Sequence, residues 1–197
     1  MPSSRDTPLL ETPEAVFNRF PVLETERLRL RESRLSDAEG IYAVLSLDSV
    51  MRHYNLSPLA SVDEARALVE RRAAAFKRQE RIRWVLARQE DDTLIGSCGY
   101  VHWNRESRRA EIGYELHPDW QGRGLMREAL SAALAFGFTQ MDLNRVEALV
   151  VPENEPSLCL LRRLGFAEEG LLRDYGFWKG RFHDLRLFSL LQKDWNA

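Results

Sequence analysis

The chain has 197 residues, 44% of them hydrophobic and 29% charged, with a formal net charge of −2. That length fits one domain with a sizeable core, or one domain with a short appendage, and the composition excludes a disordered chain. A balance so near neutrality gives no support to bulk nucleic-acid or anionic-membrane binding, so neither is expected as a partner.

Residues 1–21 are polar and carry Pro2, Pro8, Pro13 and Pro21. They read as an N-terminal extension with at most a short helical turn, and one domain is expected over residues 22–197. The extension lacks a signal peptide's apolar stretch and no apolar run nears the ~20 residues of a membrane span, so a soluble cytoplasmic protein is expected. Leu28-Arg29-Leu30-Arg31 alternates as a half-buried strand does. Ser36-Asp37-Ala38-Glu39 has the form of a capping box opening a helix, and Ser61-Val62-Asp63-Glu64 repeats it for a longer helix to about residue 78. The loop between them, residues 50–58, makes Met51, His53 and Tyr54 available to line a site. Strands follow over residues 83–88, 94–103 and 110–117, joined by connections short enough for antiparallel neighbours.

The pattern changes at Pro118. A loop leads into a helix at about Gly122, with Leu125, Ala129, Leu130, Ala133, Leu134 and Phe138 at helical spacing. The apolar, β-branched segment at residues 145–151 reads as a buried strand parallel to its predecessor, completing a βαβ crossover. A helix over about 154–164 stops at Gly165, a left-handed C-cap, and strands over about 167–173 and 182–191 flank a turn near Lys179-Gly180. The expected fold is α/β: a mixed, mostly antiparallel central sheet with one βαβ unit and helices on both faces.

The turn Gln121-Gly122-Arg123-Gly124-Leu125-Met126 carries the most chemistry. Two glycines one residue apart let several backbone N–H groups converge at a helix N-terminus, where a phosphate or pyrophosphate is favoured. It is not GxxxxGK[ST], and the third position of a GxGxxG fingerprint is Arg127, so the Walker and dinucleotide templates both fail. A ligand-free glycine-rich helix start is the alternative. A second segment, Pro152-Glu153-Asn154-Glu155-Pro156-Ser157, leaves the next parallel strand on the same side of the sheet, where ligands collect. Asn154 offers donor and acceptor and Ser157 a hydroxyl, although helix capping by Asn154 also accounts for much of this pattern. Two cysteines, Cys98 and Cys159, form no CxxC pair, and four histidines (His53, His102, His117, His183) lack HExxH spacing, so no metal is expected. Cys159 has no obvious base nearby and reads as a helix-packing residue.

Together these segments resemble the GNAT superfamily of acetyl-CoA-dependent N-acetyltransferases, nearest the branch of ribosomal-protein N-terminal acetyltransferases of the RimJ/RimL type. The matching residues are Leu23-Glu24-Thr25-Glu26-Arg27-Leu28-Arg29-Leu30-Arg31, Glu111-Ile112-Gly113-Tyr114-Glu115-Leu116-His117-Pro118 and the turn through Ala129. They continue with Asn154 and Ser157, Leu164-Gly165-Phe166, Glu169-Gly170 and Asp184. The family pattern Q/R-x-x-G-x-G/A is met at Gln121 and Gly124, with Met126 in place of the last small residue.

The resemblance implies a GNAT fold and acetyl-CoA as co-substrate, without a metal. Gln121, Gly122, Arg123, Gly124, Leu125 and Met126 would hold the pyrophosphate through backbone amides. The strand at Tyr114, Leu116 and His117 would pair with the pantetheine arm where two parallel strands splay, and Asn154 would bond the same arm. Leu116 N–H would bind the oxyanion and Ser157 would protonate the leaving thiolate, in direct transfer without an acyl-enzyme. The glutamate that RimL-like relatives are thought to use as base has no counterpart in residues 171–178, where Asp174 is the nearest carboxylate. Glu111 and Glu115, on one strand face with His117, are the candidates for a base acting through water, or else structural carboxylates. Met51, Tyr54, Asn55, Trp103 and Trp178 are candidates for the acceptor cleft, though such aromatics could equally be core anchors or a homodimer surface. The acceptor is an amine, either a protein N-terminus or a small molecule. A non-catalytic acyl-CoA sensor and a transferase with a bulkier acyl donor are the alternatives.

Overall fold

The computed structural model describes residues 13–195. A 3₁₀ turn, Pro13–Phe17, leads to β1 (Leu23–Glu24) and β2 (Leu28–Arg31). The helices α1 (Ala38–Leu45), α2 (Asp48–Met51) and α3 (Val62–Lys77) come next. The strands β3 (Ile82–Arg88), β4 (Leu94–Asn104) and β5 (Arg109–Leu116) precede a 3₁₀ turn, Pro118–Trp120, and α4 (Leu125–Thr139). Then come β6 (Arg145–Val150), α5 (Glu155–Arg163), β7 (Ala167–Trp178) and β8 (Arg181–Leu191). The eight strands form one sheet in the order β1-β2-β3-β4-β5-β6-β8-β7. Every pairing is antiparallel except β5 with β6.

Strand alternation sorts the residues of β4 onto two faces. Cys98 and Tyr100 enter the main core, where the Tyr100 hydroxyl donates to Ala133 O of α4 at 2.8 Å. Ser97 faces the other way, toward Arg72 of α3, 3.3 Å from its Oγ. Helices therefore cover both faces. Leu125, Met126, Ala129, Leu130, Ala133 and Leu134 bury the inner stripe of α4, while Ile41, Val44, Ala65 and Val69 form a smaller core between α1 and α3. Packing starts ahead of residue 22: Val16 is buried in the main core and Trp84 Nε1 donates to Pro21 O at 2.9 Å.

Half of the capping box expected at Ser61 forms: Ser61 Oγ accepts from Glu64 N–H at 3.3 Å, while the Glu64 carboxylate accepts from Ala60 N–H at 2.8 Å and not from Ser61 N–H. The one expected at Ser36 does not. Asp37 instead accepts from Arg34 N–H at 2.7 Å and pairs with buried Arg31 at 2.8 Å, so a 3₁₀ turn, Leu35–Asp37, precedes α1. Cys159 is exposed and not packed, because the buried stripe of α5 runs through Ser157, Leu158 and Leu161. β7 continues to Trp178, well past the expected end near residue 173, through a register shift between Leu172 and Gly176.

β7 is fastened at its start by ion pairing. Arg145 donates to both Glu169 oxygens at 2.7 and 2.6 Å, and Ser189 Oγ adds a bond at 2.6 Å. The Arg145 and Ser189 bonds lower the Glu169 carboxyl from 4.5 to about 2. A depressed folded-state value stabilises above the unfolded value and the effect is lost as pH falls through the folded one. The stability difference between wild type and Glu169→Gln should thus shrink from pH 4.5 down to about 2, as read by urea unfolding at each pH. A constant difference across that window would contradict the pairing. The size is modest because the pair is partly exposed.

Candidate active site

β5 and β6 are paired only over Arg109↔Arg145, Ala110↔Val146 and Glu111↔Glu147. Beyond that point β5 keeps its bonds to β4, and β6 keeps its bonds to β8. The two parallel strands therefore form a fork that opens toward their carboxyl ends. A register shift in β4 between Tyr100 and His102 lies beside the branch point, where a bulge adds twist. His117 N–H donates to Ile95 O at 2.8 Å, across to β4. By alternation the N–H groups of Leu116 and Tyr114 point the other way, into the fork. The Leu116 carbonyl is held by Gln121 Nε2 at 2.9 Å. His117 thus offers no free N–H there, a correction to its expected cofactor contact.

The glycine turn closes one end of the fork. Gly122 and Gly124 have φ of 73° and 77°, and Gly124 is the N-cap of α4. A Cβ on Gly122 would meet nothing within 4 Å, so the turn is open to a ligand. The first N–H groups of α4 have no helical carbonyl to bond, and they share this end with the helix dipole. Gln121 differs from expectation, because its own N–H is taken by Pro118 O at 3.0 Å. Met126 is buried in the core and presents only its backbone to the turn, which is why a large residue replaces the expected small one. A long-range brace fixes the turn from outside: Glu128 accepts from Thr25 Oγ1 (2.6 Å), Arg27 N–H (2.8 Å) and Arg27 Nε (2.7 Å), while Arg27 Nη1 donates to Arg123 O (3.0 Å). No motif signalled this brace.

Across the fork stands α5. Asn154 Oδ1 accepts from Ser157 N–H at 3.3 Å, so it caps the helix. Ser157 is buried, and its Oγ lies 2.5 Å from the Tyr114 hydroxyl, a bond from β5 to α5 across the opening. Burial, against the Ser157 bond, pushes the Tyr114 phenol up to about 12. The contact made by the Tyr114 side chain is not visible in the sequence, which points only to its backbone.

The two expected carboxylates lie elsewhere in chemical terms. Glu115 is buried on the α3 face, ion-paired with Arg83, bonded by Ser97 Oγ, 3.7 Å from Arg72 and 2.5 Å from the Tyr54 hydroxyl. With both oxygens engaged by cations and hydroxyls, it has no open position for a water to be activated. Glu111 lies near the branch point, roughly 17 Å along β5 from Leu116 at ~3.3 Å per residue. There it lines an open groove of about 760 Å³ with Trp103, Glu147, Leu149, Leu172 and Tyr175. Its carboxyl is raised by burial, which outweighs His102. Trp103 is stacked on Phe17, with centroids 5.6 Å apart, and so belongs to this groove and not to the fork. Glu115 is fully engaged and Glu111 lies at the other end of β5, so neither stands free beside Leu116, against the expectation of a base there.

The residues expected at the acceptor cleft lie around the ends of β5 and of the β7–β8 hairpin. The Tyr54 hydroxyl reaches Tyr114 O at 2.8 Å, and Met51 O accepts from Lys179 Nζ at 2.7 Å. Asn55 is exposed beside them. Trp178 stacks on His183 with centroids 3.9 Å apart at the same hairpin tip. Among the described residues, no cluster of three or more metal-ligating side chains is present, and no helix is long and apolar enough to cross a membrane.

Residues 27–167 match the acetyltransferase (GNAT) domain family, and the chain belongs to that family as an acetyl-transferring acyltransferase. It is similar to the uncharacterised N-acetyltransferase YoaA of Bacillus subtilis, with 38% identity over 88% of this chain and 98% of the relative. It is also 36% identical to the ribosomal protein uS5 alanine N-acetyltransferase of Escherichia coli, over 54% of this chain and 55% of that enzyme. The structure of Mycobacterium smegmatis RimJ in complex with CoA-disulfide superposes with a TM-score of 0.80 at 25% identity, covering 87% of each chain. The expected mixed sheet, fork and RimJ/RimL-like kinship therefore hold.

Proposed function

We propose that this protein moves an acetyl group from acetyl-CoA directly to a primary amine, of a polypeptide N-terminus or a small molecule, with both substrates bound together. The observation that carries this reading is the fork itself. Its inward-facing Tyr114 and Leu116 amides, the open glycine turn that follows β5 and the Tyr114–Ser157 hydroxyl pair between β5 and α5 support this reading. In this reading the amides of residues 122–126 hold the pyrophosphate and the freed strand edge of β5 pairs with the pantetheine. Asn154 borders that arm. The kinship with a ribosomal-protein alanine N-acetyltransferase and with a RimJ solved in complex with CoA-disulfide supports both the donor and the amine class.

Transfer then proceeds through attack of the amine on the thioester carbon. Leu116 N–H bonds the oxyanion that develops, where a fixed donor is worth most. Either hydroxyl of the Tyr114–Ser157 pair can donate; with Tyr114 as the donor, the Ser157 hydrogen is free to turn toward sulfur. Ser157 then gives its proton to the departing thiolate. Ser157→Ala is expected to lower kcat on the order of 100-fold with CoA affinity little changed. Tyr114→Phe should show a smaller loss of the same kind. Steady-state rates followed by thiol release decide the matter: a Ser157→Ala protein with full kcat removes Ser157 from this role.

A further inference from the structure

The segment that carries His53 crosses the mouth of the fork and is tied at both ends. On one side Tyr54 Oη bonds Tyr114 O of β5 at 2.8 Å. On the other, Lys179 Nζ, at the tip of the β7–β8 hairpin that continues the β6 limb, bonds Met51 O at 2.7 Å. His53 lies between these tethers, partly buried, and its imidazole makes no hydrogen bond to the described residues. The other histidines are engaged or remote. His117 Nδ1 accepts from Asp119 N–H at 3.3 Å, His183 Nε2 is 3.1 Å from Trp178 O, and His102 is exposed beside Glu111 at the far end of β5. The charged groups that bear on His53 come from three elements: Arg52 on its own segment, Glu153 at the exit of β6, and Lys179 on the hairpin.

We propose that His53 is the general base that takes the proton from the acceptor amine. This inference rests on the acetyl-transfer reading above. The amine lone pair forms the C–N bond as the C–S bond breaks, and its electron pair leaves on sulfur. The amine proton passes to the His53 imidazole, and the sulfur receives the Ser157 proton as Ser157 takes one from the Tyr114 phenol; the resulting imidazolium and phenolate cancel in charge, and solvent returns the proton from one to the other. Burial first, then Arg52 and, against Glu153, Lys179, lower the His53 pKa below the usual 6.5. The ring is therefore neutral at pH 7 and able to accept. The assignment also fills the position that Glu111 and Glu115 cannot.

The test is the pH dependence of kcat/KM, from pH 5 to 9, for wild type, His53→Gln and His53→Ala, with acetyl-CoA and a panel of amines and N-terminal peptides. Wild type should show an acid limb centred below pH 6.5, in addition to the limb set by the amine itself. His53→Gln should lose that limb and fall on the order of 100-fold at neutral pH. CoA affinity and the unfolding midpoint should not move. Added imidazole should restore part of the His53→Ala rate, which a merely structural role would not allow. A His53→Gln protein that keeps both rate and acid limb overturns the assignment. Wild type that binds CoA yet acetylates no amine in the panel instead sinks the acetyl-transfer reading itself.

Discussion

Glu115→Ala should destabilise the protein by about 3–5 kcal/mol, the range for removing one partner of a buried ion pair. The Glu115 side chain is 4% exposed and is the counter-charge of two arginines, whose side chains are 11% and 12% exposed. Arg72 is already pushed down to about 10, by burial foremost and then by Arg83, with Glu115 opposing. Without Glu115, two guanidiniums share a dry space, Ser97 loses its acceptor, and Tyr54 keeps only Tyr114 O. Glu115→Gln keeps the volume but not the charge, and should lose most of the same stability. The double replacement Arg83→Met with Glu115→Leu should be less destabilising than the sum of its parts, since it removes the closest pair together and leaves Arg72 as the one unpaired charge. Urea unfolding reads all three. A Glu115→Ala loss below about 1 kcal/mol would show the cluster to be far more hydrated than its burial implies. Because Tyr54 reaches Tyr114 O from this cluster, the same variant should also loosen the segment over the fork.

The second large effect concerns the glycine turn. Gly122→Asp should weaken CoA binding on the order of 100-fold while leaving the fold nearly untouched. Two like charges about 5 Å apart repel by about 3 kcal/mol at an effective dielectric near 20. A Cβ at this position meets no protein atom within 4 Å, and the φ of 73° is one that Asp and Asn tolerate better than other residues. Gly122→Asn has nearly the same shape without the charge, so the ratio of the two affinities isolates the electrostatic part. Calorimetric titration of CoA into each protein measures it. Equal affinities for the Asp and Asn variants would mean that no phosphate sits at this turn.

What the sequence disclosed was whatever depends on neighbours along the chain. The glycine spacing, the Ser61 cap, the Asn154 cap and the Gly165 stop are local signals, and the structure contains them. The mixed sheet followed from periodicity and short connections. What stayed hidden joins residues far apart in sequence. Ser36 lost its cap because Asp37 is captured by Arg31. Tyr114 with Ser157, Arg83 with Glu115 and Lys179 with Met51 are separated by 43, 32 and 128 residues. No window of the sequence contains both partners. Glu115 looked like a base from its strand position, and only the arginines from β3 and α3 reveal why it is a structural charge. His53 carried no motif at all; its place follows from two tethers made by its neighbours.

The central claim is direct acetyl transfer within a ternary complex at the fork. Initial rates of thiol release with acetyl-CoA and an accepted amine varied together test it most directly. The account predicts release that depends on the amine and double-reciprocal lines that intersect. Parallel lines, the mark of an acyl-enzyme, or release indifferent to every amine would contradict it.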